Sequence, residues 1–281
     1  MARLIAILIG LGFVFVAGVS FITGLFTWFT AEEAAGSHAA YEEPRSIAFT
    51  FNGPFGHYDE RQLQRGFQVY KEVCAGCHGL NLVAFRNLAE LGYSEAEVRA
   101  IADQWPIQVP SVNPDTGEAA TRKAIPADRF PSPYANETAA RAANNNSNPP
   151  DLSLMAKARP DGAAYIASLL TGYREAPHGH ETPEGLHYNA YFPNLDIAMP
   201  PPITADGQVS YADGTQATRD QMAQDVAAFL MWSAEPNLEK RHQMGLAVTI
   251  FLLFATVLAY FAYRNVWADR KPRKGGAAPA A

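Results

Sequence analysis

The chain has 281 residues, of which 48% are hydrophobic and 18% are charged. This composition excludes a chain that is disordered throughout, and the length suffices for about one or two domains. Two uncharged apolar stretches, residues 4–29 and 243–263, leave one water-facing domain between them. We therefore expect an N-terminal signal or anchor at 1–39, a domain at 40–242, a transmembrane helix at 243–264 and a tail at 265–281.

The water-facing part is strongly acidic. Residues 31–241 hold 27 acidic and 16 basic residues, a net charge of −11, whereas the whole chain carries −6. This charge argues against nucleic acid as a partner and favours a basic protein that is attracted over a distance. The same net charge could serve only to keep the domain soluble, so a basic partner and solubility both remain open as explanations.

The first predicted element is the apolar stretch 4–29, which follows Arg3. A secretory signal has the same arrangement, but its apolar region is usually only ~7–15 residues long. The small-residue triplet Ser37-His38-Ala39 offers a cleavage site. A retained anchor and a removed signal both fit, and either one exports the domain that follows.

The exported domain is predicted to be mainly helical, because prolines and polar loops punctuate it and strand-like alternation is scarce. Leu63, Phe67 and Tyr70 recur at helical spacing and predict a helix over 59–73 that leads directly into Cys74. Six prolines within residues 105–133 predict an extended surface loop, and residues 171–216 are predicted to form a second long loop.

Three further helices are predicted from their end signals. Ser94 and Glu97 form a capping-box pattern for a helix over 94–103, and a short helix is expected at 162–170. The last helix begins at the capping-box pair Thr218 and Gln221 and ends at Pro236. Its predicted apolar face consists of Met222, Val226, Phe229 and Leu230 or Trp232.

The apolar stretch 243–263 is just long enough for a helix to cross a hydrocarbon core of ~30 Å. Basic and aromatic residues at its end place the C-terminus in the cytoplasm and the central domain outside. If this stretch were instead a buried core helix, nothing would explain why basic and aromatic residues occur together at its end. Residues 275–281 are too poor in bulky apolar side chains to fold and are expected to be disordered. The end residues are Arg264, Arg270, Lys271, Arg273, Lys274, Tyr260, Tyr263 and Trp267.

The only two cysteines stand in Cys74-Ala75-Gly76-Cys77-His78, the C-x-x-C-H signature of c-type haem attachment. Two thiols at this spacing can reach the two vinyl groups on one porphyrin edge, and the histidine can then bind the iron. A thiol-redox motif needs no histidine, and a zinc site lacks a second pair of ligands. We therefore predict one covalently bound haem c with His78 as an iron ligand, and no disulfide.

The sixth iron ligand distinguishes two functions. A bound methionine favours electron transfer, whereas an open sixth position lets peroxide or oxygen bind to the iron. Met199 precedes three prolines whose fixed backbone angles can hold a thioether in place, although a lone methionine more often packs in a core. His178, His180 and His187 are rival iron ligands. They also suggest a separate metal site, but histidines in a Gly- and Pro-rich loop are more often solvated surface.

Several segments together resemble the cytochrome c1 family in its alphaproteobacterial form, the haem subunit of the ubiquinol–cytochrome c oxidoreductase (cytochrome bc1) complex. The resemblance covers about residues 51–274. The chain departs from the family pattern in two ways: its N-terminal apolar stretch is long, and it cannot form the additional disulfide that some bacterial relatives have. The matching segments are RGFQVY at 65–70, ARAANN at 140–145, PPDLS at 149–153, LLTGY at 169–173, YFP at 191–193, MPPP at 199–202, DVAAFLMW at 225–232 and AEP at 234–236.

The resemblance implies a cytochrome c fold, in which helices and long irregular loops surround one haem. It implies that Met199 is the axial partner of His78. It also implies an arginine near a haem propionate, here Arg159, with Tyr165 six residues beyond it. Other haem-pocket positions of the family match Asn144, Pro150, Leu170 and Phe192.

By the same resemblance, the chain is the electron-transfer subunit of an enzyme complex and needs no acid, base or nucleophile of its own. It takes single electrons from the Rieske iron–sulfur protein and passes them to a soluble or tethered cytochrome c, in respiratory or photosynthetic electron transport, while cytochrome b holds the quinol sites. The expected location is the bacterial inner membrane, in contact with lipid, with the haem domain in the periplasm. Two alternatives are a tethered peroxidase-like haem enzyme and an anchored cytochrome c that serves an oxidase.

Overall fold

A computed structural model of the chain describes residues 2–35 and 41–268, which fall into two compact units. The smaller unit consists of the N-terminal segment through Pro44 and residues 172–201, and the larger unit consists of 45–171 and the chain from Pro202 onward. The cleavage triplet at 37–39, the basic residues from 270 and the tail at 275–281 lie outside the described residues.

The prediction of a mainly helical chain with few strands is confirmed, since about half of the residues are helical. A π-helical turn, Tyr70–Cys74, extends the second helix, and a 3₁₀ helix spans Phe85–Leu91. In chain order the elements are α1 (Ala2–Ala35), α2 (Glu60–Val69), α3 (Glu95–Asp103), β1 (Val109–Val112), β2 (Ala119–Arg122), α4 (Glu137–Ala143), α5 (Met155–Ala158), α6 (Gly162–Thr171), β3 (His187–Tyr188), β4 (Asp196–Ile197), α7 (Arg219–Ala234) and α8 (Leu238–Val266).

The larger unit is organised by the crossing of α2 and α7 at Gly66. A Cβ atom on Gly66 would lie 2.0 Å from the carbonyl oxygen of Asp225 and 2.7 Å from the Cβ of Phe229. Only glycine therefore lets the two backbones approach this closely. Beside the crossing, Arg65 donates from Nε to Asp225 at 2.9 Å and from Nη1 to Asp213 at 2.8 Å. Because Asp225 is fully buried, this fork supplies the partner that its carboxylate needs.

The predicted helix over 59–73 is present in two parts. Asp59 caps α2 by accepting from the backbone N–H groups of Arg61 and Gln62, and α2 passes into the π-helical turn after Val69. The Ala75 N–H donates to the carbonyl oxygen of Tyr70 at 2.8 Å, which widens the last turn before the haem motif. The capping box of α3 at Ser94 and Glu97 forms as predicted.

The prediction of an extended surface loop at 105–133 is wrong. Strands β1 and β2 form an antiparallel hairpin, and Pro110 is tolerated because a two-stranded ribbon has edges that need no ladder hydrogen bond. Trp105 and Phe130 are buried, with ring centroids 4.9 Å apart, in an aromatic core that also includes Tyr70 and Phe85. Burial of these rings holds down a segment that its prolines alone would leave irregular.

Helix α7 differs from its prediction in two respects. Thr218 caps the helix as expected, but the Gln221 side chain donates to Asp225 at 2.9 Å and does not complete the capping box. All residues of the predicted apolar face are buried, but burial extends beyond that face to ten of the 16 helical residues. Contacts with α2, α5 and α6 cover the helix on several sides.

The smaller unit contains more order than the long loop predicted for 171–216. Strands β3 and β4 pair antiparallel, with His187 opposite Ile197. Asn189 is fully buried, and its N–H donates to the carbonyl oxygen of Leu195 at 2.6 Å. Local hydrogen bonds therefore replace a larger apolar core in this segment.

Two helices in the described part of the chain are long and apolar enough to cross a membrane. They are Arg3–Trp28 within α1 and the whole of α8. Their apolar side chains are exposed to the surroundings along both helices. Helix α8 begins at Leu238, before the uncharged stretch, so its first turn is polar.

Candidate functional site

The C-x-x-C-H motif forms a compact turn at the end of the π-helical segment. The backbone N–H groups of Cys77 and His78 both donate to the carbonyl oxygen of Cys74, at 3.1 and 2.9 Å. The Tyr70 hydroxyl donates to the carbonyl oxygen of His78 at 3.2 Å. Cys74 is half-buried and Cys77 is exposed, and both are free thiols. These hydrogen bonds therefore fix the backbone of Cys74, Cys77 and His78 relative to one another.

The imidazole of His78 is oriented by the loop between α4 and α5. Its Nδ1 lies 2.8 Å from the carbonyl oxygen of Pro150, which can only accept, so Nδ1 carries the proton and Nε2 keeps its lone pair. Burial lowers the pKa of His78, although the Pro150 carbonyl and the charge of Asp151 oppose this shift. Burial therefore favours a neutral imidazole, and the Pro150 contact leaves Nε2 of that imidazole available to a metal ion.

The chemistry of the two thiols distinguishes among the uses of a C-x-x-C motif. Burial raises the pKa of Cys74 to about 12, so this thiol stays protonated at neutral pH. A redox-active or zinc-binding cysteine needs a lowered pKa, because the thiolate is the reactive form. Two unlinked thiols and an adjacent histidine with one free ring nitrogen fit a c-type haem.

A cleft of about 320 Å³ opens beside Cys77. Its lining includes Tyr134 and Asn136 as well as Asp151. Asn136 also caps α4, since its side chain accepts from the N–H of Ala139 at 2.9 Å. Neither Tyr134 nor Asn136 was predicted from the sequence, although the N-cap pattern of Asn-Glu-Thr at 136–138 is a signal that could have identified Asn136.

Among the predicted pocket residues of the larger unit, Arg159 and Tyr165 come together. Tyr165 is buried, and the exposed Arg159 lies close enough for its charge to act on the Tyr165 hydroxyl. Burial raises the pKa of Tyr165, and the arginine partly offsets that rise. Leu170 packs against the same apolar core as Cys74. Asn144 caps the end of α4 and donates from its side chain to Ala140 at 2.7 Å.

Met199 and Phe192 belong to the smaller unit. Met199 is half-buried, and its carbonyl oxygen accepts from the Tyr173 hydroxyl at 3.0 Å. Phe192 is half-buried and begins a tight turn, in which the N–H of Leu195 donates to its carbonyl oxygen at 2.7 Å. The Met199 backbone is therefore held by the Tyr173 hydroxyl.

His180 of the smaller unit has a partner within that unit. The Nε2 of His180 lies 3.0 Å from both carboxylate oxygens of Asp196, and the His180 ring packs edge-on against Tyr188. No group of three or more His, Cys, Asp or Glu side chains that could hold a metal ion occurs within residues 2–35 and 41–268. The grouping of His178, His180 and His187 is therefore not a metal cluster in the structure.

Comparison with known proteins gives a consistent result. Residues 49–270 match the family described as the Cytochrome C1 family. A cytochrome c1 of Rhodospirillum rubrum is 45% identical over 239 residues, which cover 79% of this chain and 87% of that protein. A mitochondrial haem protein of Solanum tuberosum, cytochrome c1-2, is 45% identical over 258 residues, which cover 92% and 96% of the two chains.

A third relative is longer. The Bradyrhizobium diazoefficiens protein named cytochrome b/c1 is 46% identical over 250 residues, which cover 81% of this chain but only 36% of that protein. The chain thus spans about a third of the length of this relative.

Proposed function

The chain belongs to the cytochrome c1 family, and from this premise we propose that it is a membrane-anchored c-type haem electron carrier of a cytochrome bc1 complex. The observation that carries the proposal is the orientation of His78. Its Nδ1 is occupied by the Pro150 carbonyl at 2.8 Å, which leaves Nε2 as the iron ligand next to two free thiols. A c-type haem bound there supplies one-electron redox chemistry at its iron.

Each pocket residue has a proposed role in holding this group. Cys74 and Cys77 would attach it covalently, and His78 and Met199 would bind its iron. The Met199 thioether, held by the Pro-rich segment and by Tyr173, would keep small ligands from the iron and favour its reduced state. Arg159 and Tyr165 provide a cation and a hydroxyl for a propionate. Asn144, Pro150, Leu170 and Phe192 complete the pocket and limit access of water.

We further propose that the chain receives electrons from a Rieske iron–sulfur protein and delivers them to a cytochrome c. Association with cytochrome b is supported by the relative whose name, cytochrome b/c1, joins both names in one longer polypeptide. The acidic charge of −11 on residues 31–241 supports a basic acceptor. The chain alone performs no substrate chemistry, so the enzyme is the assembled complex.

The proposed location is the bacterial inner membrane. Helix α8 crosses the bilayer and α1 provides either a second span or a signal. Arg264 and the basic residues that follow it favour a cytoplasmic C-terminus, which puts the haem domain in the periplasm.

The test uses the purified complex with the Cys77→Ala variant of this chain. Loss of one thiol should prevent normal haem attachment, and cytochrome c reduction with quinol should fall to background. Gly76→Ala is the matched control inside the motif, because a Cβ at Gly76 meets nothing within 4 Å. Sustained turnover by a complex whose chain carries no haem would contradict the proposal.

A further inference from the structure

A turn at residues 52–56 presents an apolar side chain that the electron-transfer function does not use. Phe55 at its tip is 76% exposed, although its neighbours Phe49 and Phe51 are buried. Pro54 beside it is also exposed. The turn therefore presents one large aromatic ring to the surroundings.

The turn is stiff, so Phe55 cannot fold back into the core by a small change. The N–H of Gly56 donates to the carbonyl oxygen of Gly53 at 3.2 Å, and the N–H of His57 donates to Thr50 at 3.1 Å. Gly53 has a φ of +81°, and a Cβ on Gly56 would lie 2.1 Å from the carbonyl oxygen of Phe51. Both glycines are thus required by the turn, which presents Phe55 outward.

The same turn is attached to the beginning of α8. The His242 ring is 3.2 Å from the carbonyl oxygen of Gly56, and the N–H of Tyr58 donates to Glu239 at 2.7 Å. The Tyr58 hydroxyl donates to the carbonyl oxygen of Glu235 at 3.0 Å. These bonds fix the height of the turn along the helix axis.

That height coincides with the boundary between the polar and apolar parts of α8. His242 is the last residue before the uncharged stretch that begins at Gln243, and Lys240 and Arg241 precede it. Since a helix rises about 1.5 Å per residue, Gly56 lies within about one helical turn of the apolar boundary. Aromatic rings at this level are typical of the headgroup region on either side of a bilayer.

We propose that Phe55 inserts into the lipid–water interface beside α8 and acts as a second, lateral contact of the domain with the membrane. A lipid surface is the occupant that the structure favours, because Phe55 is exposed and its turn is bonded to α8 just before the exposed apolar stretch of that helix. Two points of attachment, α8 and Phe55, restrict tilting of the domain against the membrane. The inference requires α8 to cross the bilayer and does not depend on the proposed electron transfer.

The test places the photoreactive residue benzoylphenylalanine at position 55 of the full chain in its native membrane. After irradiation, products are separated and identified by mass. We expect phospholipid adducts at position 55 in clear excess over those at position 112. Val112, at 63% exposure in the β1–β2 hairpin, is the matched exposed apolar control.

Probes at Leu252 and Phe254, on opposite faces of α8, are positive controls for contact with lipid. If they form lipid adducts and position 55 forms none, or forms a cross-link to another polypeptide, the inference about Phe55 is overturned while the membrane anchor stands. If none of the three positions forms a lipid adduct, the anchor and the inference fail together.

Discussion

At the scale of single residues, Met199 carries the most direct prediction. Met199→Leu should keep the covalent haem but lower its midpoint potential, because the thioether stabilises ferrous iron and axial ligands help to span a range of about 0.8 V among haem proteins. Carbon monoxide should then bind to the reduced variant. Redox titration and carbon monoxide difference spectra measure both effects.

The control for this substitution is Met155→Leu, which changes a methionine that packs against the apolar core. It should leave the potential and the carbon monoxide response unchanged. If Met199→Leu behaves in the same way, the sixth ligand is another residue, and His178, His180 and His187 are the next candidates.

Tyr173 should position Met199 through the hydrogen bond from its hydroxyl to the Met199 carbonyl oxygen. Tyr173→Phe removes that bond and should loosen the ligand, so a fraction of the reduced protein should bind carbon monoxide. The potential should fall by less than in Met199→Leu. Tyr93→Phe, in the larger unit, is the control, and a Tyr173→Phe protein with no carbon monoxide binding would show that the bond does not position the ligand.

Arg159 should raise the midpoint potential if its guanidinium faces a propionate, because its charge offsets the negative charge near the iron. Arg159→Gln should therefore lower the potential. The exposed Arg99, which pairs weakly with Glu95 on α3, is the control, and Arg99→Gln should have no effect. If the redox titration curve of Arg159→Gln superimposes on that of the unmodified protein, Arg159 is a solvated surface residue that does not act on the haem.

The residue-scale site was only partly predictable from the sequence. Cys74, Cys77 and His78 were identified because attachment of a porphyrin requires their spacing. The family resemblance marked Pro150 as a pocket position, but its use as the acceptor for His78 Nδ1 was not predictable, because 72 residues separate the two. Tyr173 as the partner of Met199 was missed for the same reason: the contact is made by tertiary folding.

At the scale of elements, the crossing of α2 and α7 should be the place where a small substitution lowers the stability of the domain most. Gly66→Ala should destabilise the domain by about 1–3 kcal/mol or more, since its Cβ would overlap the Asp225 backbone. The higher helix propensity of alanine offsets only about 1 kcal/mol of this loss. The measurement is the free energy of unfolding from denaturant titration.

Arg61→Ala is the matched control on the exposed side of α2. It should change the free energy of unfolding by no more than about 0.5 kcal/mol. A Gly66→Ala protein as stable as this control would mean that the helices do not cross as closely as the structure indicates.

Element prediction succeeded where local signals acted alone. The Ser94–Glu97 box at α3 is satisfied within its own turn, and α2 and α3 both begin within one residue of the predicted positions. Prediction failed where packing decided the outcome. The hairpin at 109–122 depends on burial of the rings around it, and α7 is covered on several sides by helices from distant parts of the chain.

At the scale of the whole molecule, charge should control the encounter with the acceptor. Attraction between the acidic domain and a basic cytochrome c is screened over about 8 Å at physiological ionic strength. Reduction of the acceptor should therefore slow as salt rises, mainly through the association rate. Stopped-flow rates that stay flat from low to high salt would remove electrostatic steering. Neutralisation of the exposed residues Glu175, Glu181 and Glu184 is the first mapping experiment.

The central claim is that the chain holds one covalent haem with both axial positions filled. It is tested most directly by the reduced-minus-oxidised spectrum of the purified full chain, recorded with and without carbon monoxide, after extraction that removes non-covalent haem. We predict low-spin c-type bands that survive extraction and do not change with carbon monoxide. Bands that disappear on extraction, or rapid carbon monoxide binding to the reduced protein, would contradict the account and favour a haem enzyme with an open site.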